Sequence, residues 1–259
     1  MNPQSITSRD NPLLKALRKL SQDNASYRKE GRIWVEGDHL ARAALLRGWR
    51  PAIAAIAESA WGTQGLEFGE VADKTVLLPD VLFDGISGLE SPAKLGLVFD
   101  LPAQIEIEPK ALTVILDRVQ DAGNVGSILR SAAAFGFTQI IALKGTAVLW
   151  SSKALRAGMG AHFSLNLIEG LEADEVIKVL KQAGTPLLVT SSHEGELLHE
   201  AKLPRPCAWV MGHEGQGVSK ALMDAATKAL RIAQPGGEES LNVAAAAAIC
   251  LYATSIAGG

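Results

Sequence analysis

Four short apolar runs in the second half of the chain constrain the fold most: LTVILD (112–117), QIIAL (139–143), PLLVT (186–190) and CAWVMG (207–212). Each is bounded by turn-forming residues and too short for a helix, as expected of strands buried on both faces. Helical patterns such as VGSILRSAAAFG, ADEVIKVLKQAG and VSKALMDAAT follow them. Strand-helix alternation of this kind predicts a parallel sheet covered by helices, an α/β domain that binds ligands beyond the carboxyl ends of its strands. The first half alternates as well. NPLLKALRKLSQ is an amphipathic helix with Leu13, Leu14, Leu17 and Leu20 on one side and a basic face. GRIWVEG and PAIAAIA read as strands around DHLARAALLRG, a helix capped by Asp38 and stopped at Gly48. The Pro-containing, charge-alternating LPAQIEIEPKA after GLVFD is the natural place to divide the chain, near residue 105.

A length of 259 residues suits two such units. No apolar run approaches the roughly 20 residues needed to span a bilayer, and MNPQSITSRDNP lacks the apolar stretch of a signal peptide. A cytoplasmic protein with no membrane association is expected. Cys207 and Cys250 lie in apolar segments without metal-ligand spacing, so both read as packing residues rather than a disulfide or metal site. The net charge of -3 hides an asymmetry: residues 1–50 sum to +5 and the remainder to -8. This arrangement permits a basic face for phosphates, although a solvated helix surface would look the same.

Three loops at predicted strand ends carry chemistry. GHEGQG, from Gly212 to Gly217, allows backbone to approach a ligand, but GxxGxG late in the chain is not a dinucleotide fingerprint. In DAGNVGSILRSAAAFG, Asn124 stands near a helix start. Arg130 follows among Ile128, Leu129 and alanines, a setting in which a charge must be satisfied within the fold or held for a ligand anion. GGEESLNVAAAAA offers Ser240 and Asn242 as helix caps, with Glu238 and Glu239 suited to the helix dipole. Two cappers are more than one helix needs. The alanines form a surface for close helix packing.

Taken together, DRVQDAGNVGSILRSAAAFG, VMGHEGQGVS and RIAQPGGEESLNVAAAAAI resemble the three motifs of the SpoU (TrmH) family of RNA ribose methyltransferases, in the SPOUT superfamily. They occur in the family's order, from about residue 112 to the C-terminus. The chain departs at Ala122 and Ala233, where the family commonly has Pro. The resemblance implies a C-terminal SPOUT domain, 105–259, whose parallel sheet ends in a trefoil knot, an exception to the rule that chains are unknotted. ITSRDNPLLKALRKL and RIWVEGDHLARAAL look like the smaller α/β substrate-binding domain that often precedes it, an L30e-like unit over 1–104.

The implied activity is transfer of a methyl group from S-adenosyl-L-methionine to a ribose 2'-hydroxyl of structured RNA, rRNA or tRNA, by a homodimer. Such a transfer calls for no metal. Carried over by motif position, Arg130, Asn124, Glu214, Ser240 and Asn242 are the implied catalytic residues. Thr190, Gly212, Glu214, Gly217, Ile232, Gln234, Ser240, Leu241 and Asn242 would bind the cofactor. The basic residues Arg9, Lys15, Arg18, Lys19 and Arg28, with Lys153 and Arg156, would bind RNA. Guanidinium is effectively always protonated, so Arg130 would hold a phosphate and stabilise developing charge rather than act as a base. Glu214 could take a proton, orient Arg130 or bind loop amides. A non-catalytic RNA-binding or assembly protein on the same fold is the alternative, and transfer to a base is a further one.

Overall fold

The structure, a computed structural model, describes residues 3–103, 105–191, 195–236 and 240–257. Glu238 and Glu239 lie outside the described residues. Two compact units emerge, Met1–Gln104 with Trp150–Phe163, and Ile105–Leu149 with Ser164–Gly259.

The first unit is built on strands β1 (Gln4–Ser5), β2 (Arg32–Glu36), β3 (Ile53–Ala57), β4 (Lys74–Leu78) and β5 (Leu95–Asp100). They form one mixed sheet in the order β1-β4-β3-β5-β2, with β5 antiparallel to both its neighbours. The basic helix spans Pro12–Gln22: Asn11 caps it by accepting the Leu13 N–H (2.9 Å), and Pro12 sits where a missing N–H costs nothing. Leu14 and Leu17 are buried against Phe83 and Val98 of the core. Asp38 does not cap the next helix. Gly37 takes that position, and Asp38 is the first residue of Asp38–Leu45, where its carboxylate suits the helix dipole. The chain returns to this unit at Trp150–Phe163 through aromatic packing. The Trp49 ring lies 5.9 Å from Trp150 and 5.3 Å from Phe163, and its Nε1–H donates to the Phe163 carbonyl (3.1 Å). The helix Ser152–Gly158, carrying Lys153 and Arg156, belongs to this unit.

The second unit contains β6 (Thr113–Leu116), β7 (Gln139–Leu143), β8 (Asn166–Leu171), β9 (Leu187–Thr190), β10 (Glu196–Leu197), β11 (Ala208–Met211) and β12 (Lys228–Arg231). Their order is β10-β12-β9-β11-β6-β7-β8, and every pairing is parallel. The expected runs of buried strand are thus present: β6, β7 and β11 are buried throughout. Ile115, Ile141, Val189 and Val210 meet Val176, Leu180 and Leu222 of the covering helices. The helix Val243–Ile256 packs on Ala122–Ala134. Trp209 of β11 anchors it by donating from Nε1 to Thr254 Oγ1 (2.9 Å), while the Arg205 guanidinium donates to the Thr254 and Ser255 carbonyls at its end. Cys207 and Cys250 are free and buried, and burial pushes both thiols up to about 12, in keeping with packing roles. Among the described residues, no helix is long and apolar enough to cross a membrane.

Candidate functional site

Because β6, β11, β9 and β12 are parallel neighbours, the segments leaving their carboxyl ends gather at one edge of the sheet. Thr190, the turn from Gly212 to Val218, Ile232, Gln234 and the stretch from Ser240 to Val243 line a cavity of about 810 Å³ there. All nine residues assigned to the cofactor are on its wall. The volume is in the range of small-molecule sites. His213 and Gln216, within the GHEGQG loop, also line it, as do Ser191, Leu230 and Ala246, which carry no sequence signal.

The turn is closed by two backbone bonds, His213 N–H to Gly217 O (3.0 Å) and the reverse (2.8 Å), with His213 Nδ1 accepting the Gly215 N–H (2.9 Å). Two glycines make this possible. Gly217 has φ +69, and a Cβ on Gly212 would lie 2.3 Å from the Gly217 carbonyl carbon.

The three motifs meet through side-chain amides and one carboxylate. Glu214 accepts hydrogen bonds from the Gln120 N–H (3.1 Å), the Asp121 N–H (3.2 Å) and Asn124 Nδ2 (3.1 Å). Asn124 Oδ1 in turn accepts from Asn242 Nδ2 (3.1 Å). Partial burial works to raise the Glu214 pKa, but the bonds from Gln120, Asn124, its own N–H and Asp121 outweigh it and hold the carboxyl below its ordinary range. Glu214 thus accepts the backbone N–H groups of Gln120 and Asp121 and the side-chain amide of Asn124.

The excess of cappers also resolves. Asn242 alone is the N-cap of Val243–Ile256, accepting from Ala244 N–H (2.9 Å) and Ala245 N–H (3.2 Å), while Ser240 is exposed on the cavity wall. On the first-motif side Asp121 caps the helix by accepting the Asn124 N–H (2.9 Å). Ala122 is the first helical residue, a position where the family's Pro would fit equally well.

The burial expected around Arg130 is not found. Ile128 and Leu129 are fully buried, whereas Arg130 is exposed on the same helix and is not one of the residues lining the cavity. No burial penalty forces a partner on it. The basic residues of the first unit are exposed or half-buried, and several already have partners. Lys15 pairs with Asp10 (3.1 Å), Lys19 pairs with Glu30 (2.7 Å), Arg18 donates to the Gly85 carbonyl (3.1 Å), and Arg28 lies over the Tyr27 ring. Arg9, Lys153 and Arg156 are exposed.

A parallel sheet with three motif loops knitted around one cavity defines a class, and sequence comparison identifies it. Residues 111–252 match the model of the SpoU rRNA Methylase family, and the chain belongs to that family. It is 28% identical over 249 residues to the 23S rRNA (guanosine(2553)-2'-O)-methyltransferase RlmP of Bacillus subtilis, covering 96% of this chain and 98% of that protein. Among solved structures, a protein assigned to the TrmH family of RNA methyltransferases from Porphyromonas gingivalis superimposes with a TM-score of 0.84 at 32% identity, over 95% of this chain and 97% of that one. The AdoMet-bound rRNA methyltransferase from Sinorhizobium meliloti gives 0.84 at 25% identity, over 97% of each chain.

Proposed function

We propose that this protein transfers a methyl group from S-adenosyl-L-methionine to a ribose 2'-hydroxyl of ribosomal RNA. The observation that carries the reading is the meeting of all three motifs around one cavity through Asn242, Asn124 and Glu214. The cavity suits the cofactor: its wall combines apolar Leu230, Ile232 and Leu241 with a buried Gln234 Oε1 that accepts no hydrogen bond among the described residues. An orphaned acceptor of that kind is costly unless a ligand donor meets it.

Thr190, Gly212 to Gly217, Ile232, Gln234 and Leu241 would hold S-adenosyl-L-methionine, which when bound would supply an electrophilic sulfonium methyl for the ribose oxygen and leave as S-adenosylhomocysteine. Arg130, permanently protonated and exposed, clamps an RNA phosphate and stabilises negative charge growing on the 2'-oxygen. Glu214 and Asn124 fix the first-motif loop, Asn242 fixes the helix behind it, and Ser240, which caps no helix among the described residues and is exposed on the cavity wall, meets substrate. Both Glu214 oxygens are committed to the donors of Gln120, Asp121 and Asn124, so the hydroxyl proton leaves to phosphate or water.

RNA docks on the first unit, an L30e-like domain, through Arg9, Lys15, Arg18, Lys19, Arg28, Lys153 and Arg156. Exposed ion pairs such as Lys15–Asp10 are worth at most about 1 kcal/mol and exchange readily for phosphate. The second unit carries a trefoil knot, and its out-of-sequence strand order supports this. The protein works in the cytoplasm as a homodimer, its contact centred on the exposed face of Val243–Ile256 where Ile249, Tyr252 and Ile256 are at helical spacing.

Two measurements test the reading. Mass spectrometry of rRNA from cells lacking the protein should reveal one missing 2'-O-methyl group, restored by the purified enzyme. Titration calorimetry should detect S-adenosyl-L-methionine binding. An intact methylation pattern, a methyl lost from a base, or no cofactor affinity would favour the base-directed or non-catalytic alternatives.

A further inference from the structure

The loop after β6 and the turn after β11 are joined by three ties in descending register. Asp117 Oδ2 accepts the Ser219 N–H (2.5 Å), Arg118 Nη1 donates to Gln216 Oε1 (3.0 Å), and Glu214 receives the amides of Gln120, Asp121 and Asn124. The outer ties hold the ends of the turn. The middle one holds Gln216, a residue on the cavity wall.

Arg118 is built into this position at a cost. Its φ is +61, a left-handed conformation uncommon for a residue with a side chain. Its surroundings fix it there: its N–H donates to Thr146 Oγ1 (3.1 Å), its carbonyl accepts from Gln120 Nε2 (3.0 Å), and its Nε donates to the buried carboxylate of Asp117 (2.9 Å). The side-chain stem passes Gly145, where a Cβ would come within 3.2 Å of Arg118 Cγ. A planar guanidinium can satisfy Asp117 and Gln216 together, and its fixed fork transmits the position of the buried aspartate to the exposed turn.

We propose that Arg118 is a positioning residue which, through Gln216, holds the Gly212–Gly217 turn in its binding-competent shape and so governs affinity for S-adenosyl-L-methionine rather than the rate of transfer. The proposal rests on the cavity being the cofactor pocket. With one lone pair of Oε1 taken by Arg118, the Gln216 amide is oriented by the tie and its two N–H donors remain for a ligand. Without the tie, a turn containing three glycines samples other shapes, and the apparent dissociation constant rises by the inverse of the competent fraction.

The test is a double-mutant cycle on the full chain with Arg118→Gly, chosen because glycine accepts φ +61, Gln216→Ala, and both together. Calorimetry with S-adenosylhomocysteine reads binding, steady-state kinetics separates KM for the methyl donor from kcat, and thermal melting reports the fold. Each single variant should weaken binding and raise KM about tenfold, with kcat within about twofold and the double variant no worse than either single one. Binding within twofold of wild type in Gln216→Ala, additive losses, or a fall in kcat with KM unchanged overturns the proposal. Where Arg118→Gly fails to fold, Arg118→Lys, which keeps the charge but loses the planar fork, reads the tie without touching the cavity wall and should weaken binding in the same way. A wild-type protein that binds no S-adenosylhomocysteine defeats the cofactor reading instead, which keeps the two failures apart.

Discussion

Arg130 and Glu214 differ in what their surroundings allow them to do. Arg130 is exposed and outside the cavity wall, so replacing it removes a charge without disturbing the pocket. Arg130→Ala should abolish methylation, by at least about a hundredfold in kcat, and leave the dissociation constant for S-adenosyl-L-methionine within about twofold; full activity would exclude its role. Glu214 is an acceptor for three loop donors, and Glu214→Gln replaces one oxygen with a group that cannot accept. That change should weaken cofactor binding by about 1–2 kcal/mol, measured calorimetrically. Since the folded pKa of Glu214 is depressed, its contribution is present above the ordinary carboxylate range and is lost as pH falls through the folded value. Cofactor affinity should therefore drop on acidification below the ordinary carboxylate range in the wild type and lose that dependence in Glu214→Gln. The identity of these residues was legible in the motifs, but their environments were not: the neighbours Ile128 and Leu129 said nothing of which way Arg130 points. The role of Arg118 is not legible in sequence, because a positive φ at a residue other than glycine leaves no mark on residue type.

At the level of elements, the strands that could be read were those buried on both faces, where apolar content is uninterrupted. Elements defined by distant partners were hidden. Trp150–Phe163 has little periodicity of its own and is held by the Trp49 indole, more than a hundred positions earlier in the chain. The tiny strands Gln4–Ser5 and Glu196–Leu197 exist only because β4 and β12 present edges to them. The pairing of β2 with β5 gives a sharper case, since Trp34 lies across the strand at Gly96. A Cβ there would lie 1.9 Å from the indole ring. The ring is 7% exposed and packs at 6.2 Å from Phe83, so it has little room to retreat. Gly96→Ala should destabilise the first unit by about 1–3 kcal/mol, visible as an earlier urea transition in tryptophan fluorescence. An unchanged midpoint would mean that the indole can rotate away.

For the whole molecule, the charge asymmetry and the apolar helix face make separate demands. Binding of rRNA fragments should weaken steeply with salt, and reversing Arg9 and Lys15 to Glu should lower both affinity and the salt slope; salt-independent binding would remove the first unit from RNA docking. The last helix places Ala245, Ile249, Tyr252 and Ile256 on one exposed face, with Ile249 40%, Tyr252 53% and Ile256 60% accessible. The Phe135 ring of the neighbouring helix packs edge-on to Tyr252 (5.6 Å) and extends the patch. A stable dimer needs roughly 800 Å² from each partner, and the two packed helices provide a centre for such a contact. The same helix begins at Asn242, whose amide reaches Asn124, and is preceded by Leu241 on the cavity wall. Docking a second copy on its outer face would therefore hold the pocket as well as the dimer. Ile249→Asp with Tyr252→Asp should yield a monomer in analytical ultracentrifugation and bind S-adenosyl-L-methionine about tenfold more weakly. A folded variant that remains dimeric would move the interface elsewhere; a monomer with unaltered affinity would leave the interface in place and uncouple it from the pocket.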